Sequence, residues 1–380
     1  FGHRQVGKTT LLEILARQYS TLDRVFDLNR ANENPSDFLN SLYKDPPQTP
    51  IAIDECQLAP PLFPELKEFV RTHKEPGIFL LSGSVRFSSR KAIRESLTGR
   101  ILTYELLPFS ISELEEKPIN RLALDLMKCK DVSGVNFKKH GAVGLDHHAS
   151  ARKYLISGGL PGLCFLRNQR DRKDLLDSQL NMILDRDLRL VCDTDLPLSR
   201  LLILAQVLAQ NQNSPLNLSE ISRKTRISQP TLRKILAGLE SIFFLRMLRC
   251  EGTESRPVYF LEDQGEAHYL AGGRFDASDD LVRLAYAHLR IPFAYEPGLS
   301  FECFQYRMQG GAYVPLCFQS GHDVIGFICS LEESPSLSAI RSAGSFQKKF
   351  PRAKVIHLHP GKKVTILSAR EASLPVEFFL

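Results

Sequence analysis

The segment Gly2-His3-Arg4-Gln5-Val6-Gly7-Lys8-Thr9 fits the phosphate-binding pattern G-x-x-x-x-G-K-[ST] at every fixed position. Its glycines let the backbone turn so tightly that successive N–H groups point inward at one anion. Leu11, Leu12, Ile14 and Leu15 follow at helical spacing, so the loop opens a helix whose N-terminus favours negative charge. Such a loop joins a buried strand to that helix, which commits this part of the chain to a parallel α/β sheet. The pattern makes Gly2, Arg4, Gln5, Val6, Gly7, Lys8, Thr9 and Thr10 the cradle of a nucleoside triphosphate. Lys8 is spaced to reach the β- and γ-phosphates, and the Thr9 hydroxyl to ligate Mg²⁺. Only Phe1 precedes Gly2. The expectation is that the strand ahead of the loop has been trimmed away, weakening the isolated fold and hiding any targeting segment.

Hydrophobic residues make up 43% of the 380 and charged residues 24%, enough for two or three domains. No apolar run is long enough to span a membrane, so no membrane partner is expected. Lys and Arg number 49 against 43 Asp and Glu, a net charge of +6. That permits nucleic-acid contact through a local basic face without requiring it. The eight cysteines are scattered, with no C-x-x-C pair, and read as buried thiols of a cytoplasmic protein.

A second nucleotide signal is Pro50-Ile51-Ala52-Ile53-Asp54-Glu55. A short apolar run ending in two acids suits a buried parallel strand with its acids at the carboxyl end, where ligands bind. Asp54 is the expected holder of Mg²⁺ beside Thr9. Glu55 is the expected catalytic base that polarises the attacking water. Between the motifs there is room for a strand at Arg24-Val25-Phe26-Asp27-Leu28 and a helix from Pro35 to Lys44. An inserted strand separates this class from kinase-like P-loop enzymes. Gly77 to Ser84 reads as another strand, where Ser82 or Ser84 is either a γ-phosphate sensor or part of a plain strand-to-turn transition. In Glu95-Ser96-Leu97-Thr98-Gly99-Arg100, Arg100 is either a finger that neutralises transition-state charge or a solvated surface residue. Ile101 to Leu106 reads as a further strand.

Gly2 to Thr9, Ile53-Asp54-Glu55-Cys56-Gln57, Leu81-Ser82-Gly83-Ser84, Leu97-Thr98-Gly99-Arg100 and Leu107-Pro108-Phe109-Ser110 occur in that order. In this the chain resembles certain bacterial and archaeal AAA-domain (AAA+) P-loop ATPases. In that family the ATPase is followed by a winged helix and a C-terminal domain of unknown function resembling restriction endonucleases. The resemblance covers nearly the whole chain. It implies an AAA+ core, ATP rather than GTP, catalytic roles for Lys8, Glu55 and Arg100, and metal at Thr9 and Asp54. It also gives Gln57 a place in the acidic motif.

From Lys117 to His148 the apolar spacing is broken, and the stretch reads as a variable insertion or loop. His140, His147 and His148 read as surface histidines. Tyr154 to Gly162 matches the family's Gly-Gly-hydrophobic-Pro turn between two helices. Met182 to Leu188 matches a family helix carrying Arg-Asp. Arg186 there contacts either nucleotide, a neighbouring subunit, or Asp185 or Asp187 in a surface salt bridge. Leu201 to Ala209 is a helix. Leu218–Thr225 and Gln229–Glu240 form a helix-turn-helix, capped by Asn217 or Ser219 and by Ser228, with Pro230 in a first turn. Phe243–Leu248 and Val258–Leu261 supply a wing. Gln229, Thr231, Arg233 and Lys234 are the candidate DNA contacts; the other reading is a packing or oligomerisation module.

In the resembling family the last domain carries a Glu on its first helix, an acid-Val-Asp on a hairpin strand and a Glu-x-Lys on the next, which together bind Mg²⁺ and activate water. Here Val282, Pro315, Gly326 and Ile328 stand in those places, so nuclease activity is expected to be absent. Pro315 marks an edge position or a bulge. Ser334 to Phe350 reads as a helix and Lys354 to His359 as a strand. The expected fold is α/β: a P-loop AAA+ core over 1–115, a variable insertion and helical segment over 116–200, a winged helix over 201–262 and a degenerate endonuclease-like domain over 263–380. The expected function is a Mg²⁺-dependent ATPase that acts as a conformational switch, with DNA and an unidentified protein as candidate partners and oligomers left open. The alternatives are a DNA-binding regulator that holds ATP with little turnover, and an adaptor.

Overall fold

The computed structural model describes residues 1–43, 48–86, 101–137 and 147–380, the side chains of His147 and His148 excepted. Lys44, Arg100 and His140 lie outside the described residues. The chain divides into two units. Phe1–Leu107, Asn181–Asp195 and Lys234–Phe244 form the first; Pro108–Leu180, Leu196–Arg233 and Leu245–Leu380 form the second. The four-part division expected from the sequence groups these residues differently.

In the first unit α1 (Lys8–Leu15) leaves the phosphate-pattern loop. It is followed by β1 (Gln18–Thr21), α2 (Val25–Glu33), α3 (Pro35–Leu42), β2 (Ile51–Asp54), α4 (Leu62–His73) and β3 (Phe79–Leu81). The strands form a three-stranded parallel sheet in the order β1-β2-β3. Ile51 and Ile53 pack into a core with Phe38, Leu39, Leu62, Phe63 and Leu66. Strand alternation sends Ala52 and Asp54 to the other face, so the acid motif is held at the end of the central strand.

Two strand expectations are corrected. The strand between the nucleotide motifs is Gln18–Thr21, not Arg24–Leu28, most of which lies in α2 with Val25 and Phe26 70% and 72% exposed. Hydrogen bonds from Arg17 N–H to Pro50 O (2.9 Å) and from Leu22 N–H to Asp54 O (3.0 Å) bracket the pairing of β1 with β2. A short polar strand has no apolar alternation to read; backbone pairing alone makes it one. The strand expected over Ile101–Leu106 reduces to a parallel bridge between Gly2 and Leu106. Leu102 and Tyr104 are exposed there, so that stretch lacks a ladder on which its alternation could act.

The second unit is built on an eight-stranded sheet. Its strands are β4 (Leu245–Gly252), β5 (Val258–Leu261), β6 (Glu302–Arg307), β7 (Tyr313–Ser320), β8 (Asp323–Cys329), β9 (Lys354–His359), β10 (Thr365–Ser368) and β11 (Glu371–Pro375), in the order β10-β11-β9-β8-β7-β6-β4-β5. One face packs Val282, Ala285, Tyr286 and Leu289 of the helix Ala277–Leu289 against Phe318, Phe327 and Ile356. The other packs Ala339, Ala343 and Phe346 of the helix Leu337–Lys349 against Val314, Val324 and Val355. Residues expected in a variable insertion belong to this core: Leu122–Lys128 is a helix, and Leu122, Leu124, Leu126, Met127 and Val132 are buried with Phe318 and Phe379. Their apolar run is too short to show a period, and the sheet supplies the surface that buries it.

The helices Leu198–Gln210, Leu218–Thr225 and Gln229–Ser241 fall within a few residues of expectation. Asn217 accepts from Glu220 N–H (3.1 Å) and Ser228 from Thr231 N–H (3.3 Å) as their caps. The strands read as a wing do not stand alone. β4 pairs antiparallel with β5 through Leu245–Leu248 and then parallel with β6 through Arg249–Gly252, so the pair forms one edge of the large sheet. Pro315 lies between β6 and β8, not at an edge; the register against β6 shifts between Phe304 and Tyr306, which is the bulge alternative. At Gly326 a Cβ would stand 2.8 Å from the Phe346 ring, so the packed helix takes the space a side chain would need.

All eight cysteines are free thiols. Among the described residues no helix is long and apolar enough to cross a membrane.

His288 is a fully satisfied core histidine of this second unit. Nε2 accepts from Ile111 N–H (3.0 Å), which makes Nδ1 the protonated nitrogen, donating to Leu284 O (2.9 Å). Burial pushes its pKa down from 6.5 to about 4. The folded state therefore resists a proton that the unfolded chain accepts, and stability is lost as pH falls from about 6.5 towards 4. Between pH 7 and 5 this amounts to about 2 kcal/mol. His288→Gln, with no titrating ring, is expected to flatten that part of the profile; urea unfolding at pH 7, 6 and 5 measures it. An unchanged pH dependence in the variant would remove the assignment.

Candidate nucleotide site

The loop is shaped by its backbone contacts. A Cβ at Gly2 would stand 2.3 Å from the Leu106 carbonyl oxygen, so only glycine lets the loop begin against that backbone. Gly7 has φ 98°, a left-handed turn that glycine adopts without strain, and it caps α1. Val6 is buried, whereas Gln5 and Thr10 are exposed. Lys8 is buried, and its Nζ donates to the carbonyls of Gly2 (3.1 Å) and His3 (2.8 Å). Burial lowers its pKa, while the nearby Glu55 and Asp54 carboxylates pull it back up.

Thr9 Oγ1 donates to Asp54 Oδ2 at 2.6 Å, which joins the loop to the acid motif across the sequence. Asp54 is 2% exposed. Its Oδ2 also accepts from Tyr19 Oη (2.9 Å), and its Oδ1 accepts from Glu55 N–H (3.0 Å) and from Ser82 Oγ. Donors from four chain segments thus hold the carboxylate plane. Thr9 and Asp54 form a compact pair of hard oxygen groups of the kind that would hold Mg²⁺, directly or through water.

Glu55 has φ 54°, a left-handed conformation that costs a residue with a side chain and concentrates at functional sites. Its Oε2 accepts from Gln57 Nε2 and from Ser84 Oγ (3.4 Å), and Gln57 Nε2 also donates to Ser84 Oγ (3.3 Å). The two serines left open by the sequence therefore divide: Ser82 attends Asp54, and Ser84 attends Glu55. A Cβ at Gly83 would stand 2.3 Å from Gln57 Oε1, so this glycine admits the glutamine between them.

Arg4 is tied down from a distant segment. Its Nη1 donates to both carboxylate oxygens of Asp187 (3.0 and 2.9 Å), in a π-helix over Met182–Asp187. Neither Asp185 nor Asp187 holds Arg186. Arg186 pairs with Asp23 (3.3 Å), while Asp185 pairs with Arg189 (3.0 Å).

Residues 1–115 match the AAA domain family. The segment that carries this loop and acid motif is therefore similar to a nucleotide-binding domain of ATPase type. Residues 148–272 match a family described as a domain of unknown function. Uncharacterised proteins of Mycobacterium bovis and Mycobacterium tuberculosis are each 25% identical over 401 residues, spanning 100% of this chain and 80% of the relative. No solved structure matches. These likenesses support an AAA-type ATPase at the N-terminus and lend nothing to an endonuclease-like C-terminus.

The sequence reading missed Tyr19, and it missed Asp187 as the partner of Arg4. Tyr19 was hidden because its strand was sought further along. Asp187 lies far from the loop in sequence, and no local pattern announces its partner. Arg100 lies outside the described residues. Of the candidate DNA contacts, Gln229 donates to Ser219 Oγ (3.2 Å), Thr231 bonds Ser228 (2.8 Å), and Arg233 and Lys234 are exposed.

Asp187 is 2% exposed, so losing Arg4 leaves a buried carboxylate without its bidentate partner. A double-mutant cycle with Arg4→Ala and Asp187→Ala, read by urea unfolding, is expected to give a coupling of about 1–3 kcal/mol. Additive effects would show that the pair contributes nothing.

Proposed function

We propose that this chain is a Mg²⁺-dependent ATPase that converts ATP and water to ADP and phosphate and changes conformation with its nucleotide. The observation that carries this reading is the meeting of Lys8, Thr9, Asp54 and a backbone-strained Glu55 at the end of one central strand. Loop N–H groups and Lys8 neutralise the phosphates, and burial of the ammonium strengthens that attraction. Mg²⁺, when bound, draws charge from the β- and γ-phosphates. Thr9 donates its hydroxyl hydrogen bond to Asp54, which would leave an oxygen lone pair free for the cation. Glu55 takes the proton of the attacking water, and Gln57 and Ser84 hold its carboxylate for that task. Arg100 is the proposed finger, by resemblance. The unpaired state of the cysteines supports a reducing compartment such as the cytoplasm.

Two variants test the reading. Lys8→Ala is expected to abolish ATP binding in a fluorescence titration. Glu55→Gln is expected to bind ATP with Mg²⁺ as the wild type does while turnover falls about 10²–10⁴-fold. Wild-type turnover in Glu55→Gln would exclude Glu55 as the base, and full ATP affinity in Lys8→Ala would exclude the loop.

Exposed Arg223, Lys224, Arg226, Arg233 and Lys234 on the helix-turn-helix favour duplex DNA as the partner of this switch, and a regulator that holds ATP with little turnover is the second reading. Duplex binding over a salt series is expected to give a negative slope of log K against log salt of about 0.9 per phosphate contacted. Arg233→Ala with Lys234→Ala is expected to shrink it by about two contacts. Absence of binding would leave a packing or oligomerisation module. Under the same proposal the C-terminal part is endonuclease-like without its acids, because the helix, hairpin strand and next strand occur in the expected order with Val282, Pro315, Gly326 and Ile328 at the expected places.

A further inference from the structure

We infer that Tyr19 is a positioning residue of the metal site: its hydroxyl, sharing Asp54 Oδ2 with Thr9, fixes the carboxylate that orients the Thr9 hydroxyl for the cation that accompanies ATP. The inference rests on the ATPase reading and adds to it a residue that lies outside both nucleotide motifs.

The strand register brings the tyrosine there. Tyr19 pairs with Ala52 and Thr21 with Asp54 in the parallel ladder, so Tyr19 shares a sheet face with Asp54 but stands two residues short of it. Only a long side chain spans that offset, and the small Ala52 beside it leaves room for the ring. The hydroxyl then reaches Asp54 Oδ2 at 2.9 Å, on the oxygen that Thr9 Oγ1 approaches at 2.6 Å. The opposite oxygen is held by Glu55 N–H and Ser82.

A carboxylate oxygen has two lone pairs in its plane. With Thr9 on one and Tyr19 on the other, the buried carboxylate cannot rotate without breaking a bond. The Thr9 proton is thereby drawn to Asp54, and the Thr9 lone pairs stay available to a metal. A tyrosine hydroxyl is protonated at neutral pH, so it serves the carboxylate as a donor. Partners that orient metal-holding groups typically contribute ten- to a hundredfold to metal affinity.

The test is Tyr19→Phe, which removes one oxygen from a half-buried ring. It is made in the full chain, alone and combined with Glu55→Gln so that binding is read without turnover. A fluorescent ATP analogue is titrated in EDTA and then at rising Mg²⁺; Mn²⁺ bound in the presence of ATP is counted by electron paramagnetic resonance. The expected result is an unchanged nucleotide affinity in EDTA, a Mg²⁺ midpoint raised about tenfold, and weaker Mn²⁺ binding by a similar factor. A melting midpoint close to that of the parent confirms the fold, and Ser82→Ala, which strips a donor from the other oxygen, checks that the shift follows the carboxylate. A Mg²⁺ midpoint and Mn²⁺ affinity equal to those of the parent would overturn the role of Tyr19 alone. Absence of nucleotide binding in the parent chain would overturn the ATPase reading and this role with it.

Discussion

The desolvated carboxylate of Asp54 is the interaction on which the first unit depends. A buried anion at the end of a strand is costly unless its lone pairs are filled. Here the donors come from Thr9 at the loop–helix junction, Tyr19 on β1, the Glu55 backbone just after β2 and Ser82 after β3. Satisfying that one group fixes the loop, the strand order and the end of β3 together. It also sets Glu55 in its left-handed turn, from which the side chain meets Ser84 and Gln57 instead of continuing the strand.

The second unit applies the same constraint to a turn. Asp263, wholly buried, accepts from the N–H groups of Gly159 (2.8 Å), Gly265 (2.9 Å) and Glu266 (3.0 Å). A Cβ at Gly158 would stand 2.2 Å from that carboxylate, and one at Gly159 2.3 Å from the Phe109 carbonyl oxygen, which explains the glycine pair in the turn before Pro161. The carboxylate is closed off by backbone on its several sides, so it organises a turn. Asp54, by contrast, is ringed mainly by hydroxyls, whose oxygens keep lone pairs free while donating to it.

Much of the site was legible because its chemistry is local. The loop needs glycines, a lysine and a hydroxyl in consecutive order, and the acids must sit where a buried strand ends. Caps were readable for the same reason, since Asn217 and Ser228 each bond an N–H three residues away. What failed was everything whose partner is remote. Gln18–Thr21 is a strand only because Ile51–Asp54 lies beside it, and Leu122–Lys128 is core only because a sheet assembled from later residues covers it.

The sequence by itself determined that a glycine-rich loop of the phosphate-binding pattern opens a helix, that an apolar strand delivers Asp54 and Glu55, and, within a few residues, where several later helices begin. Each rests on covalent neighbours or on spacing within one element. Only the tertiary structure decided that Tyr19 reaches Asp54, that Asp187 holds Arg4, that Ser82 and Ser84 serve different acids, and that the presumed wing is the margin of a larger sheet. These follow from strand register and long-range burial, where the energy of a contact depends on residues that the local chain does not contain.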